Sequence, residues 1–357
     1  MRFQLATMIH NFNAGPSILP KEVFEEAAKA ILNFRDTGLS ILEIGHRTSL
    51  FQSVMDETVS LAKELMKLDA DHEVLFLHGG ATTQFFQVPM NLLNENQTAA
   101  YLDCGVWGSK AVKEARLFGN VEVVASSKDK NYTYIPKNFK IPANAAYFHY
   151  TTNNTIEGTE MFSIPETNIP LVADMSSDIL SHVLDFNRFA LIYAGAQKNI
   201  GAAGVNMVVV RKDILGKVNR KLPGMMDYRQ HIEAGSMLNT PPVFAIYVCM
   251  LTLRWLKQQG GVAAIENINK TKAGLLYKTL DEKEGFVPTV ATEDRSRMNV
   301  VFLIKDPLLE KKFLDGCKEQ NMVGVKGHRS VGGYRVSLYN ALPLESVKAL
   351  TSLIDQL

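Results

Sequence analysis

In the stretch IYAGAQKNIGAAGVNMVVV, Lys198 stands between two apolar runs and among Gly195, Gly201 and Gly204. A lysine at the end of an apolar strand ordinarily snorkels to water at the sheet edge. The chemical alternative is a desolvated amine: burial disfavours the ammonium, and the neutral amine can attack an aldehyde to form a Schiff base. Asp174, in IPLVADMSSDILS, ends another apolar run about two dozen residues earlier. A carboxylate there is commonly a helix N-cap or part of a strand-end turn, and an uncompensated one is costly. If the two runs are parallel strands, both side chains reach the same sheet edge, where ligands of open α/β folds bind.

The pair acquires a specific meaning beside two further segments. HGGATTQ places glycines after an apolar run, then Ala81, Thr82 and Thr83 where a helix would open, so free backbone N–H groups and hydroxyls converge as a phosphate requires. Strand-Gly-Gly-helix turns also occur for steric reasons alone. Trp107, in DCGVWGSKAV, follows another apolar run; a Trp is ordinarily core, and its alternative is a flat face stacked on a planar ring. Lysine, aspartate, phosphate turn and aromatic together match the needs of pyridoxal phosphate, which acts as an electron sink only while an adjacent Asp keeps its ring nitrogen protonated.

Other chemistries lose their footing. No two glycines are separated by a single residue, so G-x-G-x-x-G is absent, and the one Gly-Lys dipeptide, Gly216-Lys217, lacks the rest of a P-loop. The eight histidines form no H-x-H or H-E-x-x-H, and Cys104, Cys249 and Cys317 form no C-x-x-C, which leaves no zinc pattern and no disulfide framework. We expect no metal and a reducing, cytoplasmic setting. A net charge of +1 offers no footprint for nucleic acid. The longest apolar helical run, VFAIYVCML, is broken by Thr252 and Arg254 short of the roughly 18 residues that span a bilayer. The opening MRFQLATMIHNF lacks the apolar core of a signal peptide, and residues 1–9 read as an untethered lead-in, with Met8 available as an alternative start.

The elements that must hold these residues are legible as periodicity. PKEVFEEAAKAILNF and SVMDETVSLAKELMKL have helical spacing, the first with Pro20 in its first turn and Val23, Phe24, Ala27, Ile31 and Leu32 as its apolar face. EVLFLHGG, AAYLD, VEVVAS, AAYFHY, IPLVAD, FALIYAG and VNMVVVR are continuous apolar runs of strand length, which argue for a mostly parallel sheet covered on both faces. Pro241-Pro242 opens a helix closed by Gly260-Gly261, and a second long helix follows. The remainder, including MNVVFLI, MVGVK and YRVSLYN, reads as a small α+β unit. The expected organisation is an N-terminal segment, residues 1–17, packing with the small domain; a large domain, 18–260; and a small C-terminal domain, 261–357.

Several segments, FNAGPSILP, GGATTQF, VADMSSDILS, YAGAQKNIGAAG and GHRSVGGYRVSLYNALP, closely resemble the phosphoserine aminotransferases, class V pyridoxal-phosphate enzymes of fold type I, from about Asn13 to the C-terminus. The resemblance implies a seven-stranded large domain and a cytoplasmic homodimer with shared active sites. It implies that Lys198 carries the cofactor as a Schiff base, Asp174 pairs with the ring nitrogen, Trp107 stacks on the ring and Thr155 sits near its hydroxyl. Ala81, Thr82 and Gln197 would hold the phosphate, with Asn239 and Thr240 reaching that of the neighbouring subunit. Arg335 would bind the substrate α-carboxylate. His46 and Arg47, with His328 and Arg329 from the partner chain, would take a distal phosphate or carboxylate.

The implied reaction is ping-pong transfer from L-glutamate to 3-phosphohydroxypyruvate, with 4-phosphooxy-L-threonine as a second substrate of the family. Charge supports it: one Arg is ordinarily surface-paired, but a doubly anionic substrate needs several guanidinium groups. The sequence departs from better-known bacterial members in reading Gly-Ala-Thr-Thr at the phosphate turn and YTTNN before Thr155. Since backbone amides should bind the phosphate, little change in affinity is expected. A cysteine desulfurase would need a cysteine in a mobile late loop, and a glyoxylate transaminase would leave the two His-Arg pairs unexplained. A regulatory effector domain would come with a helix-turn-helix for which the short N-terminus has no room.

Overall fold

The computed structural model describes residues 8–329 and 332–357, so most of the expected lead-in, residues 1–7, lies outside the described part. Its centre is a seven-stranded sheet in the order His72–His78, Val205–Arg211, Leu191–Gly195, Leu171–Asp174, Phe148–Thr151, Thr98–Asp103 and Asn120–Ser126. Every pairing is parallel except those of Val205–Arg211, which runs antiparallel to both neighbours. Only residues 196–204 join Leu191–Gly195 to it, too short for a parallel crossover of a dozen or more residues.

Alternation along each strand sorts side chains between two cores. Val74, Phe76, Ala100, Leu102, Met207 and Val209 face one, with the helices Ser49–Met66 and Val243–Gln258. Leu75, Leu77, Ala99, Tyr101, Val208 and Val210 face the other, with Phe85 and Val88 of the helix Ala81–Leu92 and Ala111 and Val112 of the helix Val106–Ala115. Both faces are therefore covered, which is why the strands read as unbroken apolar runs.

A third core lies on an antiparallel sheet of Phe286–Pro288, Asn299–Ile304 and Tyr334–Ser337, packed by the helices Pro307–Glu319 and Leu344–Gln356. Phe12 belongs to it, and His10–Asn11 pairs in parallel with Met322–Val323. The helix Gly261–Glu282 joins the cores: Ile265 packs in the first, and Ala273, Leu276 and Leu280 in the third. Gly260, at φ +92°, ends one helix, while Gly261 is already the first residue of the next rather than part of its stop.

The expected apolar face of the first helix is corrected. In Lys21–Leu32 the buried residues are Val23, Ala27 and Ala30, whereas Phe24, Ile31 and Leu32 are exposed, Leu32 at 82%. The helix lies against Val243–Gln258 through its small alanines, a stripe rotated away from the bulky residues that dominate the hydropathy pattern. Among the described residues no helix is long and apolar enough to cross a membrane.

Candidate active site

Asp174 is the last residue of its strand, paired with Tyr193 of the adjacent parallel strand, and Lys198 lies three residues past the end of that neighbour. Both line a cavity of about 140 Å³ together with Ala81, Thr82, Trp107, Thr155 and Gln197. Seven of the residues singled out in the sequence are thus brought together. Larger surface clefts, of about 840 and 610 Å³, contain no comparable pairing of a desolvated amine with a buried carboxylate.

The Lys198 amine donates to Thr155 Oγ1 at 2.7 Å. Burial pushes its pKa down to about 8 against the opposing pull of Asp174, and the Arg335 charge acts with burial. Its turn is pinned from the N-terminal segment: Ser17 N–H donates to Gln197 O at 2.9 Å and Ser17 Oγ to Lys198 O at 2.5 Å. Behind the turn, a Cβ on Gly201 would meet Cys249 Sγ at 2.4 Å, so glycine there permits close packing on the helix Val243–Gln258.

Burial raises the Asp174 carboxyl above its usual range, and hydrogen bonds from Ser176 with the Lys198 charge oppose the rise. Ser176 donates both its N–H, at 2.9 Å, and its hydroxyl, at 2.6 Å, to Asp174 Oδ1. Ser176 Oγ in turn accepts from Gly195 N–H at 3.2 Å, which ties the carboxylate to the neighbouring strand end. All side-chain hydrogen bonds of Asp174 among the described residues therefore fall on one oxygen.

The helix Ala81–Leu92 starts at the cavity with Gly80 as its N-cap and no side-chain cap, so its first N–H groups remain available to an anion. Gly79, at φ +88°, makes the preceding turn, and a Cβ there would lie 2.2 Å from Thr83 Oγ1. Trp107, the second residue of its helix, is half-buried in the cavity wall with Lys110 Nζ 4.3 Å from its ring centre. Two buried polar atoms of the wall, Trp107 Nε1 and Thr151 Oγ1, have no hydrogen-bond partner among the described residues. Arg335 Nη1 donates to Thr155 O at 3.3 Å, and its Nε is likewise buried without a partner.

The other candidates do not line the cavity. Asn239 and Thr240 are exposed, although the Thr240 carbonyl accepts from His78 Nε2 at 2.8 Å at the end of its strand. Arg47 is exposed and His46 is half-buried with Nε2 unpartnered. Burial lowers the His328 pKa, and the Arg335, Lys110 and Arg329 charges of the same chain lower it further, which favours the neutral ring.

Gly80 of the expected phosphate turn also lines the cavity, as do Thr151, Asn153, Ser176 and Ser177, which were missed in the sequence. Ser176 had a signal: a serine two residues after an aspartate favours the local turn observed. Asn153 had none, since its amide bonds Ser177 Oγ at 2.7 Å and Asn299 Oδ1 at 2.8 Å, partners distant in the chain.

A desolvated lysine, a carboxylate buried beyond it, a half-exposed indole and an uncapped helix N-terminus fit pyridoxal phosphate and define a pyridoxal-phosphate enzyme of fold type I. The family model described as Aminotransferase class-V matches residues 9–350, and the chain belongs to that family. A curated relative from Flavobacterium johnsoniae, a phosphoserine aminotransferase, is 56% identical over 349 residues, 98% of each chain. The solved phosphoserine aminotransferase from Bacillus circulans subsp. alkalophilus is 43% identical with a TM-score of 0.95 over 98% of both chains. A PLP-bound phosphoserine aminotransferase from Trichomonas vaginalis is 36% identical with a TM-score of 0.92, covering 98% of this chain and 100% of that one.

Proposed function

We propose that this aminotransferase moves the amino group of L-glutamate to 3-phosphohydroxypyruvate, giving O-phospho-L-serine and 2-oxoglutarate, and that it also accepts 4-phosphooxy-L-threonine. The observation that carries the reading is the juxtaposition of Lys198 and Asp174 in one cavity, with Arg335 bonded to the carbonyl of its lining residue Thr155 and the likeness to phosphoserine aminotransferases supplying the substrate class. When bound, pyridoxal phosphate supplies a carbonyl carbon for amine exchange and a ring that accepts the electron pair left at the substrate Cα.

In this reading Lys198 would hold the cofactor, and its amine would take and give back the proton of the substrate Cα. A pKa near 8 suits both directions of that transfer at neutral pH. Asp174 holds the ring-nitrogen proton, Trp107 stacks on the ring and Thr155 contacts the ring hydroxyl. The Ala81 and Thr82 amides and Gln197 bind the phosphate. Arg335 takes the α-carboxylate, for which its planar fork is suited.

The distal anion of either substrate falls to His46 and Arg47, with His328 and Arg329 contributed by a second copy of the chain. Asn239 and Thr240 reach the second copy's cofactor phosphate. The protein is accordingly read as a homodimer working in the cytoplasm. Its parts are read as a large cofactor-binding domain, 18–260, and a small domain, 261–357, with the N-terminal segment packing on the latter; the placement of Phe12 in the small core supports this, and residues 1–7 of that segment lie outside the described part.

The test is the absorption spectrum of the purified holoenzyme with O-phospho-L-serine or L-alanine. Phosphoserine should bleach the visible cofactor band at concentrations where alanine has no effect. Equal bleaching by alanine would remove the phosphate-site assignment, and the lack of any cofactor band after adding PLP would remove the enzyme assignment.

A further inference from the structure

Behind Asp174 lies a buried group that the proposed reaction does not use. Glu160 ends the two-residue strand Thr159–Glu160, Asp178 lies in the turn after Asp174, and His182 follows one turn later. One oxygen of each acid and one ring nitrogen of His182 lie within 4.8 Å of one another. Exposure is 1% for Glu160, 3% for Asp178 and 8% for His182.

Two ionised carboxylates at that separation would need donors on most of their lone pairs. The donors are too few. Glu160 Oε2 accepts from Arg297 N–H at 2.6 Å, but Glu160 Oε1 is buried and receives no hydrogen bond among the described residues. Its neighbour His182 Nδ1 is 3.7 Å away and engaged with Ser181 Oγ at 3.2 Å. Asp178 Oδ1 accepts from Thr152 Oγ1 at 2.6 Å.

The Arg297 charge offsets the burial of Glu160 only in part. The Arg297 guanidinium lies 4.1 Å from the Phe162 ring centre and 3.5 Å from Glu266, which also pairs with Lys270 at 2.7 Å. Burial holds His182 down to about 4, so it is neutral. The remaining charges that face the pair are Asp174 and Lys198.

We infer that Glu160 and Asp178 share one proton, so that this pair carries a single negative charge beside Asp174 and Lys198. The proton removes a like-charge repulsion between two buried acids inside the protein. Burial first, then the Asp178 charge, raises Glu160 against the Arg297 N–H, the Arg297 charge and Ser296; burial, with Thr152 opposing and Asp174 adding, raises Asp178, and the two titrate as a unit. A second negative charge would favour the Lys198 ammonium, so the shared proton helps keep a neutral amine accessible. The proton itself stands apart from the proposed reaction; only its effect on Lys198 rests on that reading.

The experiment compares wild type with Glu160→Gln, which mimics a protonated glutamic acid, and with Asp178→Asn should Glu160→Gln fail to fold. Infrared spectra of the apoprotein at neutral pH should show a protonated carboxyl stretch that either single variant loses, because the remaining acid ionises. The titration of Lys198, read from the pH dependence of cofactor capture, should coincide in wild type and single variants, and move to lower pH in Glu160→Gln/Asp178→Asn. Absence of the carboxyl stretch in wild type would overturn the inference. So would a single variant that lowers the Lys198 titration by about one unit, or a divalent cation retained at one per chain after dialysis.

Discussion

Ser17 and Lys198, far apart in the chain, are joined by a hydrogen bond of 2.5 Å from the Ser17 hydroxyl to the Lys198 carbonyl. The N-terminal segment therefore sets the backbone from which the Lys198 amine projects. Ser17→Ala leaves that carbonyl without its hydroxyl donor and should cost about 1 kcal/mol of stability. Holoenzyme kcat should fall while the KM for glutamate holds. Unchanged kcat with unchanged melting would show that the contact does not position the lysine.

Lys198→Ala removes the amine proposed to hold the cofactor and move the Cα proton. Steady-state turnover should drop by at least about 10²–10⁴-fold, the usual contribution of a positioned general acid-base. Circular dichroism should remain that of wild type. Substantial multiple turnover in this variant would show that another group does the chemistry.

The Lys198 amine has a pKa lowered to about 8, chiefly by burial. Because the neutral amine attacks the aldehyde, capture of pyridoxal phosphate by apoprotein should speed up as pH rises through about 8 and level off above it. Stopped-flow absorbance between pH 6 and 10 measures this. A rate that continues to rise toward the ordinary lysine range, near 10.4, would mean that the amine is not desolvated.

Arg335 donates to Thr155 O through Nη1 and keeps a buried Nε without a partner among the described residues. Arg335→Lys retains the charge but not the fork. KM for glutamate and for the phosphorylated substrate should both rise about tenfold or more, as expected for losing one charged hydrogen bond. An increase confined to the phosphorylated substrate would move Arg335 from the α-carboxylate to the distal anion.

Gly201→Ala introduces a Cβ that would sit 2.4 Å from Cys249 Sγ and 3.1 Å from its Cα. Backbone on that side cannot move without shifting a core helix, so stability should fall by about 1–3 kcal/mol in urea denaturation. Gly204→Ala has no clash within 4 Å, and its cost arises only from φ +105°. A smaller loss at Gly201 than at Gly204 would contradict the packing argument.

How much could be read from the chain depends on the range of the signal. The covered sheet was legible because burial on both faces removes alternation from a strand, and VNMVVVR and FALIYAG show it locally. Lys198 and Asp174 stood out because a charge ending an apolar run is chemically conspicuous within a single window. The first helix misled because hydropathy marks bulky residues, whereas packing against Val243–Gln258 selected the stripe of Val23, Ala27 and Ala30.

The sequence by itself therefore determined the strand-turn-helix units, the residue types at their ends and the membership of the chain in its family. Tertiary structure alone decided that Ser176 would orient Asp174, that Ser17 would clamp the Lys198 turn and that Arg335 would meet Thr155. It also enclosed Glu160 with Asp178. The physical reason is the same throughout: periodicity specifies which face of an element is buried, but the partner that satisfies a buried polar group is chosen only when distant segments close upon one another.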